Sequence, residues 1–196
     1  PTPTIDAAVS ARYVSALKDE RVAAADLLGE PAHRTDTPQA DVVEALHGAL
    51  QAAFHVAYAQ GFALLREAST DYAFGLDLST VATIWRGGCI IRAAMLETFR
   101  EAFTATPEAP NLLVTPAVAS SVRETQEALR RTVATAAEAG IPTPALSASL
   151  AYLDSYRSAW LPANLVQAQR DYFGAHTFQR TDREGTFHGQ WMPAGM

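Results

Sequence analysis

The sequence predicts an all-α fold: a multi-helix domain with one long central helix and an extended C-terminal tail. Three observations carry this expectation. Apolar residues return every three or four positions along most of the chain, no stretch alternates in the two-residue rhythm of a strand, and beyond His176 the helical period stops. Of the 196 residues, 48% are hydrophobic and 18% charged, a globular balance. A chain of this length forms one ordinary domain that buries roughly 70% of its unfolded surface.

The first helix is expected from Thr4, which can cap it, to Gly29, which stops it; Val9, Val14, Leu17, Ala24 and Leu28 supply the apolar side. "EPAHRTDTP" (30–38) then reads as a polar loop. From Gln39 to about Tyr72 runs the long helix, with one apolar stripe of Val43, Leu46, Leu50, Ala53, Ala57, Leu64 and Ala68. Phe54, Tyr58, Phe62 and Leu65 add a second stripe, so the latter half is expected to be buried nearly all round. Unbroken, this helix spans about 51 Å, whereas a compact domain of this size is about 42 Å across. Either Gly48 and Gly61 bend it, or a partner subunit covers the surplus.

The run "GLDLSTVATIWRGGCIIRAAMLETFREAF" is helical and interrupted at Gly87-Gly88, and "TPEAPN" is a loop. Residues 117–139 form a helix ending at Gly140, "IPTP" resets the chain, and 145–159 and 162–173 are the last two helices. The reading is of a single domain with a helical core at about 4–174 and a tail at 175–196. Phe178, Phe187, Trp191 and Met192 give the tail an aromatic and apolar content that favours docking, with a groove on another subunit as the expected berth.

Bulk properties narrow the function classes. A net charge of −6 without a basic stripe argues against nucleic acid, yet local arginines can still make a cleft attractive to a small anion. No apolar run is long enough to span a membrane, and "PTPTIDAAVS" carries no signal pattern. A single cysteine, Cys89, rules out an internal disulfide and fits a reducing cytoplasm. Lys18 is the only lysine among the 15 basic residues, and it lies in the solvated turn "LKDER". No G-x-G-x-x-G or P-loop occurs.

"QAQRDYFGAH" (167–176) holds Arg170 and His176 six positions apart, about 240° around a helix axis. They can meet only if the helix stops, and Gly174 is the residue type found just past a helix end. The chain then folds back, and His176 joins the arginine fork in a receptor for phosphate or carboxylate. In the plainer alternative Arg170 pairs with Asp171 or Glu184, and His176 is a capping residue.

Elsewhere the plain readings prevail. Cys89 reads as a small buried side chain. His47 and His55 lack a third ligand for zinc. Ser147, Ser149, Asp154 and His176 lack a nucleophile elbow. Glu97 and Glu101, with Arg100 between them, read as a solvated helix face. Trp85, Trp160, Tyr152 and Tyr156 read as packing.

"PALSASLAYLDSYRSAWLPANLVQAQRDYFGAHTFQR" closely resembles the C-terminal segment of the decarboxylating 6-phosphogluconate dehydrogenases. "VSARYVSALKDERVAAADLLG", "YAQGFALLREAS" and "IWRGGCIIRAAML" resemble further stretches of that family in the same order. The resemblance covers residues 5–192. It implies a homodimeric enzyme of the pentose phosphate pathway that oxidises 6-phosphogluconate at C3 with NADP. The 3-keto intermediate then loses CO2 to give ribulose 5-phosphate.

The resemblance further implies that the family's Rossmann domain, general-base lysine and general-acid glutamate are absent from these residues, which would hold no catalytic residue, no metal site and little of the NADP contact. Arg12 in "AAVSARYVSAL" matches an arginine that holds the substrate phosphate within its own subunit. Arg170 and His176 match residues that reach the neighbouring subunit's site, and the tail exchanges into that partner. The alternative is a helical interaction scaffold of the same descent without turnover.

Overall fold

The computed structural model describes residues 1–191; Met192, counted above with the tail, lies outside them. The described chain is helical as expected. The helices are α1 (Pro3–Ala16), α2 (Lys18–Leu28), α3 (Gln39–Asp71), α4 (Leu78–Gly88), α5 (Leu96–Ala105), α6 (Pro116–Glu138), α7 (Pro144–Tyr156) and α8 (Asn164–Gly174). A 3₁₀ turn, Leu112–Val114, precedes α6. Two short strands, β1 (Phe178–Gln179) and β2 (Thr186–Phe187), pair antiparallel with Phe178 opposite Phe187. The chain forms two compact units, one up to Leu153 and one from Asp154.

In the first unit α3 is the axis. Its 33 residues run without a break, a length of about 50 Å, and neither Gly48 nor Gly61 interrupts it. One end of the axis is walled by Val56, Ala59 and Phe62 against Leu78, Leu96, Phe99, Phe103 and Leu112. Phe62 is the hub of that cluster, its ring centroid 4.6 Å from Trp85 and 4.9 Å from Phe103. At the other end Ala49, Ala52 and Ala53 pack on Leu129 of α6.

The face that α3 buries differs from the expected one. Val43 (60% exposed), Leu46, Leu50, Phe54 and Leu64 all face outward, while Ala49, Ala52, Ala53, Val56 and Ala59 are buried. Small side chains let α3 and α6 approach until a Cβ placed on Gly48 would stand 2.8 Å from Ala128 Cβ. The large residues therefore form a separate, wet stripe. The latter half is not buried all round, since Phe54 and Leu64 remain more than half exposed.

The predicted first helix is two. α1 ends at Ala16, Leu17 leaves helical geometry at φ −83° and ψ 55°, and α2 starts at Lys18. Pro3 occupies the first turn, where its missing N–H costs nothing. Thr4 is not the cap. It is buried within α1, and its amide donates to Gln60 Oε1 at 3.0 Å while Gln60 Nε2 donates to Thr4 Oγ1 at 2.9 Å. Ser149 Oγ lies 3.2 Å from the same hydroxyl, so one buried polar knot ties α1 to α3 and α7. Val9, Val14, Leu17 and Leu28 are exposed, which leaves the expected apolar side of this region uncovered.

α4 begins as its sequence dictates: the Asp77 carboxylate caps the Ser79 and Thr80 amides, both at 3.1 Å. Beyond Gly88 the backbone of Cys89 turns extended. α7 and α8 match the predicted last two helices, although α7 stops at Tyr156. The tail is a small hairpin where an irregular segment was expected.

Packing at Gly48 has a measurable consequence. Valine there gains a few tenths of a kcal/mol in helix propensity but forces α3 and α6 apart, at about 1–3 kcal/mol. In urea unfolding, Gly48→Val is expected to lower the midpoint. Gly87 has open space where a Cβ would go, and Gly87→Ala is expected to raise the midpoint by an amount worth about 0.5–1 kcal/mol.

Candidate functional site

The C-terminal end of α8 is built around Asp171. Its side chain is fully buried, and both oxygens are saturated. Oδ1 accepts from the Thr177 amide at 2.8 Å and lies 2.9 Å from His188 Nδ1. Oδ2 accepts from the Gly189 amide and from Trp191 Nε1, each at 2.8 Å. A carboxylate only accepts, so His188 carries its proton on Nδ1 here. Burial pushes the Asp171 pKa up, but the Gly189 amide, His188, the Trp191 indole and the Thr177 amide outweigh it and hold the carboxyl below the ordinary carboxylate range.

Because the folded-state pKa is depressed, this contribution to stability is complete above the unfolded carboxylate value and is lost as pH falls below it.

These contacts shape the segment that carries His176. The helix persists through Gly174, one residue later than predicted, and the left-handed residue is Ala175 at φ 51°. Thr177 also has positive φ, at 63°. For a β-branched residue that is an outlier costing about 1–3 kcal/mol. It is offset because the Thr177 peptide is held at both ends: Asp171 takes its N–H, and Gln167 Nε2 donates to its carbonyl. Gly174 serves a different need from the expected one. A Cβ there would stand 3.0 Å from His176 Nε2 and 3.1 Å from Cδ2, so the glycine leaves room for the imidazole to fold over the helix end.

The His176 ring therefore does turn back toward the last turn of α8. Arg170 is exposed on that turn, and its guanidinium bonds Gln167 Oε1 at 3.4 Å. The plainer alternative fails at one point: Asp171 does not pair with Arg170, having no acceptor capacity left, and no ion pair to Glu184 forms. His176 is exposed, and its side chain makes no hydrogen bond among the described residues. Arg12 stands exposed on α1 in the first unit, likewise without a carboxylate partner. A cavity of about 550 Å³ opens between α8 and the hairpin, lined by Trp160, Asn164, Gln167, Phe178, Arg180 and Trp191.

Asp171 and Gln167 were missed as structural residues of the site. One signal was available: an aspartate in the last turn of a helix faces the unfavourable end of the dipole, so its presence there asks for a local reason.

The remaining candidates take structural roles. Cys89 is half-buried and donates its S–H to the Trp85 carbonyl at 3.1 Å. His55 is buried with Nδ1 2.7 Å from the Gln51 carbonyl, and burial lowers its pKa. Among the described residues no group of three or more His, Cys, Asp or Glu could hold a metal ion. Ser149 belongs to the buried knot with Thr4 rather than to a helix surface. Glu97 bonds Arg100 at 2.6 Å and also pairs with Arg86, which holds its carboxyl below the usual range. Tyr152 packs on the core, whereas Trp160 is 72% exposed.

Comparison with known proteins agrees over nearly the whole chain. The family model "6-phosphogluconate dehydrogenase, C-terminal domain" matches residues 1–191. The decarboxylating 6-phosphogluconate dehydrogenase of Synechococcus elongatus is 50% identical over 191 residues, covering 97% of this chain and 41% of that protein. The NADP(+)-dependent, decarboxylating enzyme of Bacillus subtilis is 48% identical over 193 residues, covering 98% of this chain and again 41% of the relative. Among solved structures, Plasmodium falciparum 6-phosphogluconate dehydrogenase superposes with a TM-score of 0.90 at 39% identity, over 97% of this chain and 41% of that one. That protein is described in its apo form, with its cofactor NADP+ and with its substrate 6-phosphogluconate. This chain thus spans about two-fifths of the length of the relatives it matches, and it belongs to the family of 6-phosphogluconate dehydrogenase C-terminal domains.

Proposed function

We propose that this chain is the helical part of an NADP-linked, decarboxylating 6-phosphogluconate dehydrogenase, where it holds the substrate's phosphate end and forms the dimer. The observation that carries the reading is the end of α8. An exposed arginine without an acid partner and an imidazole folded over the helix terminus are there presented by a rigid, buried anchor. Both lie in a run that closely resembles the family. A phosphate takes charge-assisted bonds from such groups. Arg12 joins them from its own subunit, while Arg170 and His176 serve the neighbouring one. The unbroken family match over residues 1–191 supports treating the chain as one domain; the exchange of its tail into the partner belongs to the same proposal. A cytoplasmic location accords with this chemistry.

Among the described residues no strand, glycine-rich loop and helix come together to cradle a dinucleotide, so they do not fit NADP. Its binding belongs to the remainder of the full-length enzyme. The scaffold alternative shares the dimer but leaves Arg12, Arg170 and His176 without purpose.

The exposed stripe of Val43, Leu46, Leu50, Phe54 and Leu64 supports the dimer, since contiguous apolar surface marks an interface. Sedimentation of the 196-residue chain at micromolar concentration is expected to show a dimer, and removal of residues 177–196 to weaken it. A monodisperse monomer for the intact chain contradicts the proposal.

With 6-phosphogluconate and NADP the isolated chain is expected to show no turnover, because hydride transfer needs a positioned nicotinamide. Turnover approaching that of a full-length relative would show that the chemistry resides in these helices.

In the full-length enzyme Arg170→Ala is expected to raise KM for 6-phosphogluconate by about 30- to 5,000-fold. The loss in kcat is expected to be smaller, because the phosphate is remote from C3. Lysine rescues only partly, lacking the planar fork. Mixing Arg170→Ala subunits with subunits lacking the upstream base lysine leaves one intact site per heterodimer, so activity is expected to reappear. Equilibrated heterodimers that stay inactive show that Arg170 does not serve the neighbouring site.

A further inference from the structure

We propose that Asp171 is the positioning residue of this site, fixing where the Arg170 guanidinium and the His176 imidazole are presented to an anionic ligand. The proposal rests on the reading of those two residues as ligand contacts. Asp171 follows Arg170 directly, and the amide it holds, that of Thr177, follows His176 directly. Gln167 completes the frame: one end of its amide bonds the Thr177 carbonyl and the other the Arg170 guanidinium. Both residues are therefore one position away from atoms that cannot move independently.

Saturation of the carboxylate matters as much as its position. A carboxylate offers about four lone-pair sites, and four donors occupy them here: two amides, an indole N–H and an imidazole N–H. An unsaturated aspartate beside Arg170 would compete with an incoming phosphate for the guanidinium. Asp171 has nothing left to offer it, so its negative charge organises the tail without neutralising its neighbour. The same four bonds compensate an ionised group that is both buried and at the negative end of a helix dipole, two environments that otherwise oppose it.

The test is steady-state kinetics of the full-length enzyme carrying Asp171→Asn, alone and combined with Arg170→Ala plus His176→Ala, with Arg170→Ala also measured by itself. Asparagine keeps the shape, but its NH2 faces donors and cannot accept from them. Asp171→Asn is expected to raise KM for 6-phosphogluconate about tenfold or more while KM for NADP and kcat stay within about threefold. With Arg170→Ala and His176→Ala both in place the same change is expected to add less than about threefold, since a residue acting through those two side chains has little left to lose. Equal penalties in both backgrounds, or a KM within about twofold of wild type for Asp171→Asn beside a defective Arg170→Ala enzyme, overturn the proposal alone. An unaltered KM in Arg170→Ala overturns the ligand reading, and the proposal with it.

Should Asp171→Asn fail to fold or dimerise, Trp191→Phe and His188→Ala decide. Each removes one donor and leaves the carboxylate, and each is expected to raise KM for 6-phosphogluconate a few-fold at unchanged kcat. KM unmoved in both overturns the proposal.

Discussion

The close approach of α3 and α6 is the constraint on which the first unit depends. Alanines at 49, 52 and 53 and the glycine at 48 give α3 a nearly flat face, and flatness sets the distance between the two helices. Packing density in a protein interior leaves little slack, so this separation dictates how much room remains for Phe62, Phe99 and Phe103 farther along the axis. It also decides which side of α3 is outward. Once the small residues are spent on α6, the leucines and Phe54 have nowhere to go within this chain. A helix too long for a compact monomer and a large-residue stripe without an inside partner are two expressions of one arrangement.

Around that axis, polar groups are placed where they fasten helices that apolar packing holds poorly. α1 buries only Thr4, and that single contact is a knot with Gln60 and Ser149 in which each hydrogen-bonding group is met. Because a buried amide left without partners costs about 1–3 kcal/mol, the knot gives α1 a defined seat, though apolar burial would not. α1 is the helix that carries Arg12. In the second unit Asp171 does the equivalent for the segment around His176. Both anchors centre on a buried polar side chain whose hydrogen bonds are satisfied.

How much of this was legible in the sequence varies with the kind of signal. Helix existence followed from periodicity, and the bounds of α3 were read to within a residue at each end because 33 residues of unbroken pattern leave few alternatives. Which face is buried was read only in part: Ala53 and Phe62 are buried as expected, while Val43, Leu46, Leu50, Phe54 and Leu64 are not. Hydrophobicity ranks leucine above alanine, whereas the packing of α3 on α6 selects for smallness, and Leu46, Leu50 and Leu64 are left exposed. The break at Leu17 carried no glycine or proline to announce it. Gly174 was identified as a helix-ending residue from its type, yet its role is steric clearance for the imidazole, which appears only once His176 has folded back. Arg12, Arg170 and His176 came from the wording of the sequence rather than its spacing. Asp171 was visible as a charge beside an arginine and as an acid at the wrong end of a helix; its partners, up to 20 positions away, are encoded by no local pattern.

The hairpin offers a last consequence. Thr177 enters it and His188, Gly189 and Trp191 leave it, all fastened to one carboxylate, so β1, β2 and the turn between them form an excursion whose two ends are already joined. Closing a longer flexible loop between joined ends is inexpensive, about 0.6 kcal/mol for each doubling of its length. Residues 180–185 can therefore lengthen, shorten or change character over evolutionary time without disturbing the helix terminus. A tip that is free to vary, next to a clasp that is not, is a means by which related chains can acquire different outer surfaces while keeping the same inner grip.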